Sequence, residues 1–179
     1  LTTKPGLSTV NGAGGIHGFM NFRHPVISDS GGFQVYSLIT ESKAGTIHKD
    51  GFTYRLENEK EKSILTPEKC IQYQFKIGAD IIYCLDYCTH PSAPDDVQEE
   101  SVDLTLKWAA RCKKEYENQL KIRKIKNDER PLIFGVVQGG NNRDLRRRCA
   151  EGLLETGFDG FGFGGWPIDD EGKLLDMVG

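Results

Sequence analysis

Pro131-Leu132-Ile133-Phe134-Gly135-Val136-Val137-Gln138-Gly139-Gly140 decides the fold. Six of its first seven residues are apolar or β-formers, with no polar alternation, so the run reads as a strand buried on both faces rather than one edged by water. It ends abruptly in a polar side chain and two glycines. Directly after it, Arg143 to about Glu155 has helical periodicity closed by Gly157, which suits a C-terminal cap. A buried strand, a polar turn and a helix make the repeating unit of a parallel sheet.

The same unit recurs on both sides. Upstream, Thr66 is placed as an N-cap with Pro67 at the first helical position. Cys70, Ile71, Phe75 and Ile77 form the apolar stripe, and Gly78 closes the helix. Ile81-Ile82-Tyr83-Cys84-Leu85 then forms an apolar strand ending at Asp86. Val102, Leu106, Ala109, Cys112, Tyr116 and Leu120 recur at intervals of three and four, predicting the long amphipathic helix that returns to the strand at Pro131. Further upstream, His24-Pro25-Val26-Ile27-Ser28 is a short strand running into the Gly31-Gly32 loop. Downstream, Gly160-Phe161-Gly162-Phe163 is a strand leading to Gly164-Gly165, with another helix expected near Asp169. Strands alternating with helices predict right-handed βαβ units around a parallel sheet. The segment from about Glu41 to Ser63 breaks this rhythm; Phe52, Tyr54 and Leu56 alternate there, which predicts a small exposed β-hairpin insertion.

With 179 residues, 37% hydrophobic and 27% charged, the chain is long enough for a substantial core. Its opening and closing residues read as the middle of a larger fold, so structure is expected beyond both ends. There is no apolar run of the ~20 residues a membrane span needs, and no signal peptide is visible in these residues. A net charge of −3 excludes a general polycation. Positive charge is local, in Arg143-Asp144-Leu145-Arg146-Arg147-Arg148 and Lys121-Ile122-Arg123-Lys124-Ile125-Lys126, and each run reads as a solvated helix face, with a phosphate-binding patch as the alternative. Five irregularly spaced cysteines read as reduced thiols of a cytosolic protein. Cys84-x3-Cys88-x-His90 lacks the second ligand pair of a zinc site, so these thiols are expected partly buried at a strand end.

Asp29, Asp86, Gln138 and Gly164-Gly165 each follow a strand. Parallel strands put their C-terminal ends on one face, where such folds bind ligands. Two carboxylates, an amide and exposed peptide groups there can hydrogen-bond the edge of a flat polar heterocycle. Each feature alone is also an ordinary cap or turn; four at four strand ends favour a site.

Ser28-Asp29-Ser30-Gly31-Gly32-Phe33-Gln34-Val35-Tyr36-Ser37-Leu38 resembles the signature of the tRNA-guanine transglycosylase (queuine tRNA-ribosyltransferase) family. So do Leu65-Thr66-Pro67-Glu68, Gly78-Ala79-Asp80-Ile81-Ile82, Gly135-Val136-Val137-Gln138-Gly139-Gly140 and Phe158-Asp159-Gly160-Phe161-Gly162-Phe163-Gly164-Gly165, in the family's order. The resemblance implies a partial (β/α)8 TIM-type barrel and the exchange of a tRNA guanine for a 7-deazaguanine (queuine or a precursor) through a covalent ribosyl-enzyme intermediate. Asp29 would bind the base and act as general acid/base. Asp86 and Gln138, joined by Gly139 and the backbone at Gly164 and Gly165, would read its polar edge, with Phe33 stacking on it. The family's nucleophilic Asp and zinc ligands fall beyond the matching stretch. The resemblance therefore implies no cofactor in this chain, structural zinc in a full-length protein, inactivity of this chain alone, and a homodimer or heterodimer when full length.

Three departures stand out. The nucleophile region is absent, Tyr87 stands where bacterial members usually have Glu, and Trp166-Pro167-Ile168-Asp169-Asp170 replaces their Leu-small-Val-Gly-Glu run. The Gly31-Gly32 pair resembles bacterial or eukaryotic members and favours an anticodon guanine. Two alternatives are a non-catalytic tRNA-binding or partner subunit of the same family, and an unrelated barrel enzyme acting on a small metabolite.

Overall fold

A computed structural model describes residues 2–42, 44–55, 61–90, 92–165, 171 and 173. Four parallel strands form its centre: β1 (Ile27–Ser28), β5 (Ile81–Tyr83), β6 (Leu132–Val137) and β7 (Gly160–Phe163), neighbours in that order. Each joins the next in register, Ile27 opposite Ile81, Ile82 opposite Ile133, and Val136 opposite Gly162. The chain is thus α/β with a parallel sheet. Its outer strands β1 and β7 have open edges among the described residues, an arrangement compatible with an arc of a barrel.

The helices follow from local chemistry. In α4 (Pro67–Ile77) the Thr66 hydroxyl accepts from Lys69 N at 3.3 Å and Gly78 closes the last turn in a left-handed conformation. In α6 (Arg143–Thr156) the Asn142 side chain accepts from Asp144 N and Leu145 N, and Gly157 closes it. Helix α5 (Asp95–Arg123) runs for 29 residues, burying Val102, Ala109, Cys112 and Tyr116 against α4, α6 and β6. Three helices lie outside the sequence expectation: α1 (Leu7–Gly12), α2 (Gly15–Met20) and α3 (Gly32–Ser42). The first two are too short to leave a periodic signature. The third begins at the second glycine of the pair expected to form a loop.

The expected exposed hairpin is different in form. Residues 45–65 include a three-stranded antiparallel sheet, β2 (Gly45–His48), β3 (Gly51–Tyr54) and β4 (Ser63–Leu65). One face is buried, because Phe52 is fully enclosed and meets the Trp108 ring edge-on at 5.2 Å. The Trp108 indole N–H also donates to Lys49 O at 2.9 Å, fastening the β2–β3 turn to α5. Leu56, the expected helix near Asp169, and Trp166 to Asp170 lie outside the described residues.

The strand ends away from the site are clamped by charge. Asp80 accepts from Val26 N at 2.7 Å and from His17 Nε2 at 2.9 Å, tying β1 to β5. Asp159 forms a two-pronged pair with Arg130, both contacts at 2.6 Å, and accepts from Ile133 N, tying β6 to β7. With one end of the sheet held this way, the geometry of the opposite end is set by the turns that leave it.

Candidate active site at the strand ends

Four turns leave the C-terminal ends of the parallel strands side by side. After β1 come Asp29 and Ser30, after β5 Asp86, after β6 Gln138, and after β7 Gly164. Gln138 is 1% exposed and donates through Nε2 to Asp86 Oδ2 at 2.6 Å. Ser30 Oγ, which accepts from Gly32 N at 3.1 Å, lies 3.4 Å from Asp86 Oδ1. Side chains from three separate turns therefore meet at one carboxylate.

The fourth turn enters through backbone. Gly164 N donates to Val137 O at 2.9 Å, extending the β6–β7 pairing beyond the last strand residue. A Cβ on Gly164 would stand 2.3 Å from Gln138 Nε2 and 2.6 Å from Val136 Cγ1, so only glycine lets this backbone lie against the Gln138 amide. Gly139 is buried at φ +133°, and a Cβ there would stand 2.6 Å from Arg146 N. The Gly165 N–H is directed at the Cys88 thiol, which also neighbours Asp86 and Gln138.

Electrostatics mark the same spot. Burial of its carboxyl raises Asp86 to about 6, opposed by the hydrogen bond from Gln138 and reinforced by the negative charge of Asp29. Burial, with the Asp86 charge adding, pushes the Cys88 thiol up to about 11. Gln138 Oε1 is buried and has no hydrogen-bond partner among the described residues. An orphaned buried acceptor beside a carboxylate held at an electrostatic cost is the mark of a site built for a hydrogen-bonding ligand.

The expected residues separate into two groups. Asp86, Gln138, Gly139, Gly164 and Gly165 converge. Asp29 is exposed and acts on Asp86 through its charge, without a direct bond. Phe33 is exposed on the first turn of α3. A cleft of about 610 Å³ opens behind β1; it shares Asp29, Ser30 and Gly31 with the cluster, while its other walls are largely apolar, including Ile16, Val35 and Ile77. The polar side chains are thus gathered on the Asp86 side of Asp29.

Tyr87, one of the departures, is a core residue. It is buried, its ring centroid is 6.0 Å from that of Tyr36, and Thr105 and Ser101 hold its backbone. Ser30 and Arg146 adjoin the candidate site, though the sequence pattern does not single them out. Ser30 lies inside the Ser28–Leu38 motif with no role assigned to it. Arg146 is hidden in a basic run: Arg143, Arg147 and Arg148 are exposed as expected, but Arg146 is half-buried. The signal available is its place one residue after Leu145 and three before Cys149, on the margin of the buried stripe Leu145, Cys149 and Leu153. The Lys121–Lys126 run is mostly solvated.

All five cysteines are free and buried. Among the described residues no three His, Cys, Asp or Glu side chains are grouped to hold a metal ion, and no helix is long and apolar enough to cross a membrane.

Residues 1–179 match the family model described as queuine tRNA-ribosyltransferase. The chain is 38% identical over 179 residues to the queuine tRNA-ribosyltransferase of Halothermothrix orenii, covering 99% of this chain and 44% of that protein. It is 40% identical over 175 residues to that of Caldanaerobacter subterraneus subsp. tengcongensis, covering 98% and 44%. To that of Acinetobacter baumannii it is 36% identical over 182 residues, covering 99% and 46%. The chain thus spans less than half the length of these curated relatives.

Proposed function

The chain belongs to the queuine tRNA-ribosyltransferase family, and from that premise we propose that it forms the base-recognition part of a tRNA-guanine transglycosylase. The reaction is exchange of a guanine, at the anticodon wobble position of tRNA, for a 7-deazaguanine (queuine or a precursor), within a (β/α)8 barrel. The observation that carries this reading is the Gln138–Asp86 contact at 2.6 Å, with Gln138 Oε1 left unpaired and buried beside it.

The chemistry is complementary to a guanine-type base. An ionised Asp86 only accepts hydrogen bonds, which suits the adjacent ring and amino N–H donors of such a base. The peptide N–H of Gly165 only donates, which suits its single ring carbonyl, while the Gly164 N–H is spent on Val137 O. Gln138 can do both, and its free Oε1 offers a further acceptor. Phe33, exposed at the start of α3, supplies a face for stacking.

Asp29 stands at the exposed edge, where a base attached to a polynucleotide would arrive. It serves as general acid/base, giving a proton to the departing purine and taking one from the incoming base. The ribosyl group is held meanwhile by a nucleophilic carboxylate elsewhere in the protein, in a covalent intermediate. The target nucleotide must leave its stack to reach this depth, so tRNA binding weakens as salt rises. The family's zinc finds no ligand set among the described residues, and no step runs through it. The partners are tRNA and a second subunit, in a homodimer or heterodimer.

The test is incorporation of labelled guanine into tRNA by the intact protein, with queuine and its aminomethyl and cyano precursors as competitors. Failure of every base to enter tRNA, with the fold intact, would refute the reading.

A further inference from the structure

Arg146 leaves α6 on the side facing the site and spends its guanidinium on backbone. Nε donates to Gly140 O at 2.7 Å, Nη2 to Gly164 O at 3.0 Å, and Nη1 to Val137 O at 3.4 Å. The side chain is half-buried, and burial lowers its pKa below the usual arginine value, so it occupies this place at an electrostatic cost. One fork thus spans the turn after β6 and the turn after β7, the two that supply Gln138 and the Gly164-Gly165 backbone. A lysine could reach one of these oxygens but not hold three in a fixed plane.

The Gly164–Gly165 peptide is the significant acceptor. Its bond is trans, so the carbonyl and the N–H point in opposite directions. With the carbonyl turned to Arg146, the N–H of Gly165 faces the space bounded by Cys88, Asp86 and Gln138. A charged donor on the carbonyl also polarises the peptide and makes its N–H a stronger donor. We propose that Arg146 is a positioning residue for the base carbonyl, holding the Gly164–Gly165 peptide so that its N–H meets the carbonyl oxygen of a bound guanine-type base. As the purine departs from ribose, negative charge grows on that oxygen, and a donor fixed and polarised beforehand strengthens its hold at that moment. This rests on the base-exchange reading above and adds the group that makes the backbone donor effective.

The experiment uses the intact protein and its Arg146→Gln and Arg146→Lys variants, with thermal melts to establish that each is folded. Binding of guanine is compared with binding of 2-aminopurine, a fluorescent base of the same outline that lacks the carbonyl oxygen and, with it, the adjacent ring N–H, a second difference that is the same for wild type and variants. Labelled-guanine exchange separates kcat from KM. For Arg146→Gln, guanine binding weakens ~10–100-fold, the range expected for one well-placed hydrogen bond, and kcat falls as well. Binding of 2-aminopurine changes less than about two-fold, since the lost donor had no partner on it. Arg146→Lys keeps the charge without the fork and falls between the two. Equal weakening toward both bases, or full guanine affinity in either folded variant, overturns the proposal. Wild-type protein that binds neither base overturns the base-exchange reading itself, and the proposal with it.

Discussion

Replacing Asp86 by Asn should stabilise the ligand-free protein and at the same time weaken base binding. The folded-state pKa of Asp86 is raised from 3.8 to about 6. A carboxyl shifted upward favours the folded state most when protonated. Its contribution is fully present below about 4 and is lost as pH rises through about 6. A rise of this size corresponds to at most ~3 kcal/mol above that window. Asn avoids the charge but returns only one acceptor oxygen to Gln138 and Ser30, which costs ~1 kcal/mol. A net gain of ~1–2 kcal/mol at pH 7.5 remains, or ~2–8 °C in Tm for a domain of this size. At pH 4 both forms are uncharged at this position, so the gain should shrink toward zero. The assay is thermal unfolding of both proteins from pH 4 to 7.5, read as the difference in Tm so that other titrating groups cancel. Guanine affinity, measured alongside, should fall ~10–100-fold at pH 7.5 because Asn cannot accept two hydrogen bonds from the base edge. A Tm difference that does not change with pH, or a variant less stable only at high pH, would refute the claim that Asp86 is a carboxylate held at a cost for a ligand.

Other perturbations bear on separate parts of the site and fold. Asp29→Asn, at an exposed position, should leave Tm within ~1 °C and lower guanine exchange by ~100-fold or more; near-normal incorporation of labelled guanine would remove Asp29 from the chemistry. Gly164→Ala forces a Cβ to within 2.3 Å of Gln138 Nε2, so it should cost ~1–3 kcal/mol and weaken base binding together. Unchanged affinity in calorimetric titration would mean that this backbone is not part of the site. Phe52→Ala empties a fully buried position against Trp108 and should cost ~3–5 kcal/mol in urea unfolding; a loss below ~1 kcal/mol would show that the β2–β4 sheet is a detachable appendage.

What is legible in the sequence is local. Thr66-Pro67 and Gly78 enclose α4, and Gly157 closes α6, because a cap is a bond between neighbours in the chain; the Asn142 cap at the start of α6 came only from the structure. β6 is legible because a strand enclosed on both faces tolerates no polar alternation. Helix α3 is not legible. It starts at Gly32, a poor helix former, placed there because a Cβ would stand 3.0 Å from Asp86 O and 3.2 Å from Leu85 Cδ1. The β2–β4 sheet reads as exposed for a related reason: its alternation is visible, but the indole that covers Phe52 comes from a helix more than fifty residues away.

By itself, the sequence determined the βα rhythm, the polar residues that end each strand and, through its motifs, the family, since all of these are properties of runs of adjacent residues. Only the tertiary structure decided which of those residues meet. It brought Gln138 onto Asp86, set Ser30 beside them, left Asp29 to act through its charge, and drew Arg146 out of a basic run to hold the turns after β6 and β7. The physical reason is that a pKa, an orphaned acceptor or a polarised peptide depends on distance through space. Residues 52 apart in the chain come within 2.6 Å only because parallel strands deliver their ends to one face.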